Sequence, residues 1–242
     1  MGEWRKEFDL DRFLERMEKN RPSEAEREKR DKDLLAKETI KFETALCYEI
    51  RKQFGIHYFE IHKHENTTSL PEIEKHIDLL FASCIGACYT GREGNGKTNV
   101  LLEIFIQICW LEWFDYIKTH GYPNPGEFIS RTCHFAYTSQ ICDLLGHREK
   151  AVTAKYNFID DLGVEDAQGY VLSALDGFFE DIYHKGQGII LSSNCSKKDL
   201  EGRKGYERIM SRLHEKCKFY ILPSVDRRKL ESGKPNPHWR DC

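Results

Sequence analysis

The sequence predicts a three-layer α/β domain built on a parallel sheet and preceded by a charged helical region. Three observations predict it. A short apolar stretch, Ala82 to Thr90, runs into Gly91-Arg92-Glu93-Gly94-Asn95-Gly96-Lys97-Thr98, which fills every fixed position of the pattern G-x-x-x-x-G-K-[ST]. A helical pattern opens directly behind it at Asn99-Val100-Leu101-Leu102. Farther along, Phe158-Ile159-Asp160-Asp161 and Ile189-Ile190-Leu191-Ser192-Ser193-Asn194 are short apolar segments with polar tips. In an open parallel sheet ligands gather beyond the carboxyl ends of the strands, so these tips are expected to share one crevice with the glycine-rich loop.

Each residue type in the loop has a physical task. Gly91, Gly94 and Gly96 accept backbone angles closed to other residues, so successive N–H groups can curl around phosphate oxygens, and the positive end of the following helix adds to that field. Lys97 supplies a mobile positive charge for the β- and γ-phosphates, and the Thr98 hydroxyl is an oxygen ligand of the kind Mg²⁺ prefers. Gly91, Arg92, Glu93, Gly94, Asn95, Gly96, Lys97, Thr98 and Asn99 are therefore the candidate nucleotide-binding set.

Composition bounds the setting. The chain has 242 residues, enough for one well-buried domain plus an extension, and its net charge of -3 with 32% charged residues provides no global basic field. Any contact with nucleic acid must come from a local patch. No apolar run approaches a membrane span of ~20 residues, and Met1 to Glu7 lacks the apolar core of a secretory signal, so a cytoplasmic protein is expected. The nine cysteines include no C-x-x-C pair, and Cys84, Cys88, Cys109, Cys133 and Cys142 fall in or beside apolar segments. They read as reduced, small, mostly buried hydrophobes rather than a zinc site.

The first fifty residues alternate in charge, and the single proline there, Pro22, predicts two helices broken near Asn20 to Ser23, with Ser23 as the second N-cap. Trp4, Phe8, Leu10, Phe13, Leu14 and Met17 recur at three- and four-residue spacing and form an apolar stripe, for the domain's own core or for a partner's groove. His57, His62 and His64 read as solvated loop histidines. Pro71 opens a short helix through Leu80, and the domain boundary is expected near residue 66, giving a partner-docking region over 1–65 and a nucleotide domain over 66–242.

Beyond the loop, a long apolar helix is expected to about His120, with Trp110, Trp113, Phe114 and Ile117 as its core face. A turn cluster follows at Gly121 to Gly126, then a strand over Cys133 to Tyr137 and a short helix through Leu145 capped by Thr138 and Ser139. Asp160 is assigned to Mg²⁺ and Asp161 to positioning or deprotonating the attacking water. Asn194, at its strand tip, is the candidate sensor of the γ-phosphate. Arg208 and Arg212 lie four apart on one helical face and read as an arginine finger offered to a neighbouring subunit, because guanidinium neutralises charge on a transferring phosphoryl group.

These motifs together, Gly91 to Thr98, Phe158-Ile159-Asp160-Asp161-Leu162-Gly163, Ile190 to Asn194 and Arg208-Ile209-Met210-Ser211-Arg212-Leu213, resemble the AAA+ ATPases of the DnaC/DnaI helicase-loader and IstB transposition-helper group over about residues 75 to 228. The resemblance implies ATP and Mg²⁺ as cofactors, slow ATP hydrolysis, ATP-dependent homo-oligomerisation, contact with single-stranded DNA, and delivery of a replicative ring helicase in DNA replication or the targeting of a transposase. It also implies that Arg212 is the finger and Arg208 its companion. Two departures accompany it. The Tyr137 to Phe158 interval is short for the helical insertion with which relatives touch DNA, and Leu222 to Arg227 matches the family's closing motif only loosely. Little chain follows Tyr220, so no C-terminal helical lid is expected. Outside this family, a small-molecule kinase would need an acceptor pocket and an arginine-rich lid, and neither is legible between Gly163 and Gly188. A non-catalytic nucleotide-gated adaptor would place its function in residues 1–65.

Overall fold

The computed structural model describes residues 24–55, 86–163 and 169–222. The Trp4 to Met17 stripe, the Ser23 cap, His57, His62 and His64, the helix expected from Pro71, the boundary near residue 66, Arg227 and the lid expectation for the chain's end all lie outside the described residues. The chain divides into two compact units, residues 1–43 and 44–242. Helix α1 spans Glu24–Gln53, and its residues in the first unit carry exposed ion pairs one turn apart, Lys32 with Glu28 at 2.9 Å and Lys41 with Glu38 at 2.6 Å. Such pairs are worth only a few tenths of a kcal/mol each, about the scale of surface i,i+4 contacts.

The second unit contains a five-stranded, all-parallel sheet of order β2-β3-β4-β1-β5. Its strands are β1 (Gly86–Thr90), β2 (Cys133–Tyr137), β3 (Tyr156–Asp160), β4 (Gly188–Ser193) and β5 (Cys217–Ile221). Strands β1, β3 and β4 are buried along their whole length, as expected where both faces of a parallel sheet are covered. Parallel neighbours require helical crossovers, and the chain supplies α2 (Lys97–His120), α4 (Thr138–Gly146), α5 (Tyr170–His184) and α7 (Glu207–Lys216), with shorter α3 (Pro125–Thr132) and α6 (Lys197–Glu201).

Side-chain alternation along the strands separates the two faces. Cys88, Ala136, Ile159, Ile189 and Leu191 join one core with Ile141, Leu175, Phe179, Ile182, Ile209 and Leu213 from α4, α5 and α7. The alternate residues face α2: Phe158 meets Phe105 edge-on at 5.3 Å, and Phe54 lies edge-on to Phe105 at 5.3 Å while stacking on Phe135 at 3.8 Å. The last turns of α1 thus belong with the sheet. Leu46, Ile50 and Phe54, spaced by four, are all buried. Gln53 Oε1 accepts the Phe135 N–H at 2.8 Å, which satisfies a donor that edge strand β2 would otherwise present.

Several local expectations are corrected. The Gly121 to Gly126 cluster is a turn only to Asn124, whose side chain accepts the Glu127 N–H at 3.1 Å and starts α3 with Pro125 in its first turn. The cap of α4 falls on Tyr137 rather than Thr138 or Ser139, and the Tyr137 N–H donates to Gln140 Oε1 at 3.1 Å. Trp113 is fully buried, but Phe114 is 41% exposed and stacks along the helix surface on Trp110 rather than entering the core.

Candidate functional site

The loop between β1 and α2 forms at the carboxyl end of the sheet. Gly94 and Gly96 both have φ of 80°, the left-handed region in which a side chain would crowd the backbone, and Gly96 is the N-cap residue of α2. Its carbonyl accepts the Val100 N–H at 3.0 Å, so the helix begins directly behind the loop. The loop is pinned at its start, where the Gly91 N–H donates to Ser193 O at 3.2 Å. Asn95 is buried and its side chain donates to Leu222 O at 3.5 Å. Lys97 is 6% exposed, with Nζ donating to the carbonyls of Gly91 and Arg92 at 2.9 Å each. Arg92 and Glu93 are exposed, and Thr98 and Asn99 are half-buried at the start of α2.

The predicted carboxylates arrive beside this loop from β3. Thr98 Oγ1 donates to Asp160 Oδ2 at 2.6 Å, joining the first turn of α2 to the tip of β3. Asp160 is 1% exposed. Its other oxygen, Oδ1, accepts from Ser192 Oγ and from the Asp161 N–H, the latter at 3.1 Å. The Asp161 N–H also reaches Ser192 Oγ at 3.2 Å. From the neighbouring edge, Thr138 Oγ1 donates to the Asp160 carbonyl at 2.9 Å. Asp160 is therefore held by groups from three other elements, α2, β4 and α4.

Asp161 leaves the strand with φ of 58°, a left-handed conformation uncommon for a residue with a side chain. Its Oδ1 accepts from Asn194 Nδ2 at 3.0 Å. Burial, then the charges of Asp160 and Glu93, push its carboxyl above the ordinary range, opposed by Lys97 and the Asn194 hydrogen bond. Behind it, Ser193 Oγ donates to Leu162 O at 2.5 Å and accepts the Cys195 N–H at 3.0 Å, while Arg203 caps the carbonyl of Gly163.

The structure thus brings together the loop residues, Asp160, Asp161 and Asn194. It places Arg208 and Arg212 elsewhere, on α7 against α5. The Arg212 side chain is 16% exposed and pairs with Asp176 and, at 3.1 Å, with Glu180, whereas Arg208 is 76% exposed and 3.4 Å from Asp176. Among the described residues, the ion pairs of both arginines are with α5. In the single chain, Arg212 is held against α5 by two carboxylates.

Ser192 reads in the sequence only as part of a polar strand tip and Thr138 as a cap, yet both hydroxyls fix Asp160. Asp176 and Glu180 escape it altogether. For Ser192 a signal existed: a small hydroxyl residue at the tip of the strand next to the one that ends in Asp160.

The donor set fits Mg²⁺. Thr98 and Asp160 offer hard oxygen ligands side by side, and Mg²⁺ characteristically combines one or two protein oxygens with phosphate oxygens and retained waters. A strand, a glycine-rich turn and a helix beginning on a buried lysine, with an aspartate from a neighbouring strand against the threonine, define the architecture. This is a P-loop α/β domain.

No protein-family model and no curated protein matches the chain. Solved structures similar to it include the DnaC helicase loader, at 17% identity and a TM-score of 0.46 over 66% of this chain and 93% of that one. DnaI is similar at 15% identity and a TM-score of 0.47, over 69% of this chain and 89% of that one. AMPPCP-bound DnaA from Aquifex aeolicus is similar at 15% identity and a TM-score of 0.44, covering 70% of this chain and 51% of that chain. At these identities and scores the likeness is one of outline.

Proposed function

We propose that the protein is an ATPase of the AAA+ helicase-loader type. It binds ATP at the loop between β1 and α2, hydrolyses it to ADP and phosphate, and assembles with further copies on single-stranded DNA to deliver a replicative ring helicase. The observation that carries the nucleotide reading is the Thr98 to Asp160 hydrogen bond of 2.6 Å, which sets two hard oxygen ligands beside a buried lysine and a glycine loop. The loader reading is supported by the sequence resemblance, whose I-D-D-L-G, S-S-N and R-x-x-S-R-L motifs fall on the tips of β3 and β4 and on α7.

The chain's own groups have defined tasks in such a reaction. Backbone N–H groups of Gly94 to Thr98 and the Lys97 ammonium bind the phosphates. Thr98 and Asp160 would hold Mg²⁺, which when bound would neutralise charge on the triphosphate. Asp161 accepts the proton of the attacking water as its oxygen bonds to the γ-phosphorus and the bond to the bridging oxygen breaks. A carboxyl pushed upward by burial suits that task, because a stronger base accepts the proton more readily. Asn194 orients Asp161 through its amide and senses the γ-phosphate. Arg208 and Arg212, whose contacts are with α5 rather than with their own chain's phosphate loop, act on the nucleotide of a neighbouring copy.

Calorimetric titration of ATP with Mg²⁺ tests the foundation. The wild-type chain is expected to bind in the micromolar range (about -8 kcal/mol), and Lys97→Ala to lose detectable binding. Unchanged affinity in that variant contradicts the site.

A further inference from the structure

Helices α5 and α7 meet along a short ladder of charge. Asp176 and Glu180 are one turn apart on α5, and Arg208 and Arg212 are one turn apart on α7. Glu180 reaches Arg212 but not Arg208, at 3.1 Å, and the same Oε1 lies 3.6 Å from His184 Nε2 on its own helix. Asp176 touches both guanidiniums, accepting from Arg212 on Oδ1 and from Arg208 on Oδ2, with its side chain only 14% exposed. One carboxylate therefore bridges the two arginines on which the second half of a shared site would depend.

A guanidinium on a flexible three-methylene arm samples many rotamers, and the ordering cost of bringing it to a phosphoryl group falls when a planar, two-point contact already fixes its direction. Arg212, 16% exposed with Nη1 on one carboxylate and Nη2 on another, has that fixed direction, while Arg208 remains 76% exposed. Neighbouring polar contacts brace the same helix pair: Tyr183 on α5 donates to Glu215 on α7 at 2.6 Å.

We propose that Asp176 is the positioning residue of this arginine pair, holding Arg212 and Arg208 in the orientation from which they reach the triphosphate bound by a neighbouring copy. The proposal rests on the trans role given above to the arginines. It assigns Asp176 no contact with nucleotide.

Complementation between two inactive variants tests it. Lys97→Ala chains cannot bind nucleotide but carry intact arginines, whereas Arg212→Ala chains keep the nucleotide site and lack the arginine. Mixed with ATP and Mg²⁺, they are expected to recover phosphate release that neither shows alone. Replacing the first partner by the Lys97→Ala, Asp176→Asn double variant is expected to lower that recovery at least tenfold, and Lys97→Ala, Asp176→Glu to restore most of it. The single Asp176→Asn variant is expected to show a lowered kcat at unchanged KM for ATP and an unchanged ATP affinity, a split that general loosening of the fold would not give. Recovery by the Asp176→Asn double variant equal to or above that of Lys97→Ala, or an Asp176→Asn chain with wild-type kcat, overturns the assignment. If Lys97→Ala itself fails to rescue Arg212→Ala, the trans reading is wrong and the assignment falls with it, so the two failures are distinguishable.

Discussion

Asn194 Nδ2 donates to Asp161 Oδ1 at 3.0 Å, tying the residue beyond β4 to the residue beyond β3 across the mouth of the nucleotide loop. The contact restrains a side chain whose backbone sits at φ of 58° and whose charge is opposed by burial and by Asp160. Such a conformation in such surroundings costs stability.

Replacing Asp161 by Asn is therefore expected to raise Tm while lowering kcat about 100-fold or more, within the range of general-base contributions. Asn still offers an oxygen to Asn194, and it tolerates left-handed angles better than most residues. The sign with pH follows from the raised carboxyl. The folded chain holds the Asp161 proton more tightly than the unfolded chain does, so stability is full below the ordinary carboxylate range and is lost as pH rises through the elevated value. The stabilisation by Asn should accordingly be present at neutral pH and vanish below about pH 4. Wild-type hydrolysis should fall with decreasing pH sooner than an ordinary carboxylate base would dictate. Thermal melts and rates measured across that range check both.

Ser192 is fully buried, and its hydroxyl links Asp160 Oδ1 with the Asp161 N–H. Ser192→Ala removes the donor to a buried carboxylate and is expected to cost about 1 to 3 kcal/mol. Part of that loss should appear as a weaker dependence of nucleotide binding on Mg²⁺, because Asp160 loses one of its restraints. Titration of ATP affinity against Mg²⁺ concentration reads it.

Gly96→Ala places a Cβ on a left-handed residue at φ of 80°. The expected penalty is about 1 to 2 kcal/mol, concentrated in the loop, so ATP affinity should fall roughly tenfold by the usual conversion of about 1.4 kcal/mol per decade. Far-ultraviolet dichroism should remain that of the wild type.

Phe54 is 3% exposed between Phe105 and Phe135. Phe54→Ala is expected to destabilise the sheet unit by about 3 to 5 kcal/mol, the usual range for a buried phenylalanine. Urea unfolding would show a lower midpoint, and Leu at this position should recover most of it.

Much of this arrangement is legible locally. The P-loop states its own geometry because its glycines, lysine and threonine are fixed by phosphate chemistry at set spacing. Strand β2 matches its expected span, Cys133 to Tyr137, and the apolar runs of β3 and β4 with their polar tips match closely, since buried parallel strands read as short apolar segments. Helix α3 was equally signalled by Asn124, Pro125 and Glu127, but a Pro-Gly pair outweighs a cap when the segment is read as a turn. Strand β5 is harder. Lys218 and Ile221 are exposed, so this edge strand lacks the continuous apolar run of its neighbours. The roles of Asp176 and Glu180 depend on partners 32 to 36 residues away in sequence, and nothing local in the chain announces such pairings.

With the arginines acting in trans, this site is expected to hydrolyse ATP only when a second copy supplies them. Phosphate release per chain, measured with saturating ATP and Mg²⁺ across a wide range of protein concentration, tests it most directly. A site completed in trans gives a specific activity that rises with concentration in the wild type and stays at the dilute baseline in Arg212→Ala. A specific activity independent of concentration, equal in the two proteins, would contradict it.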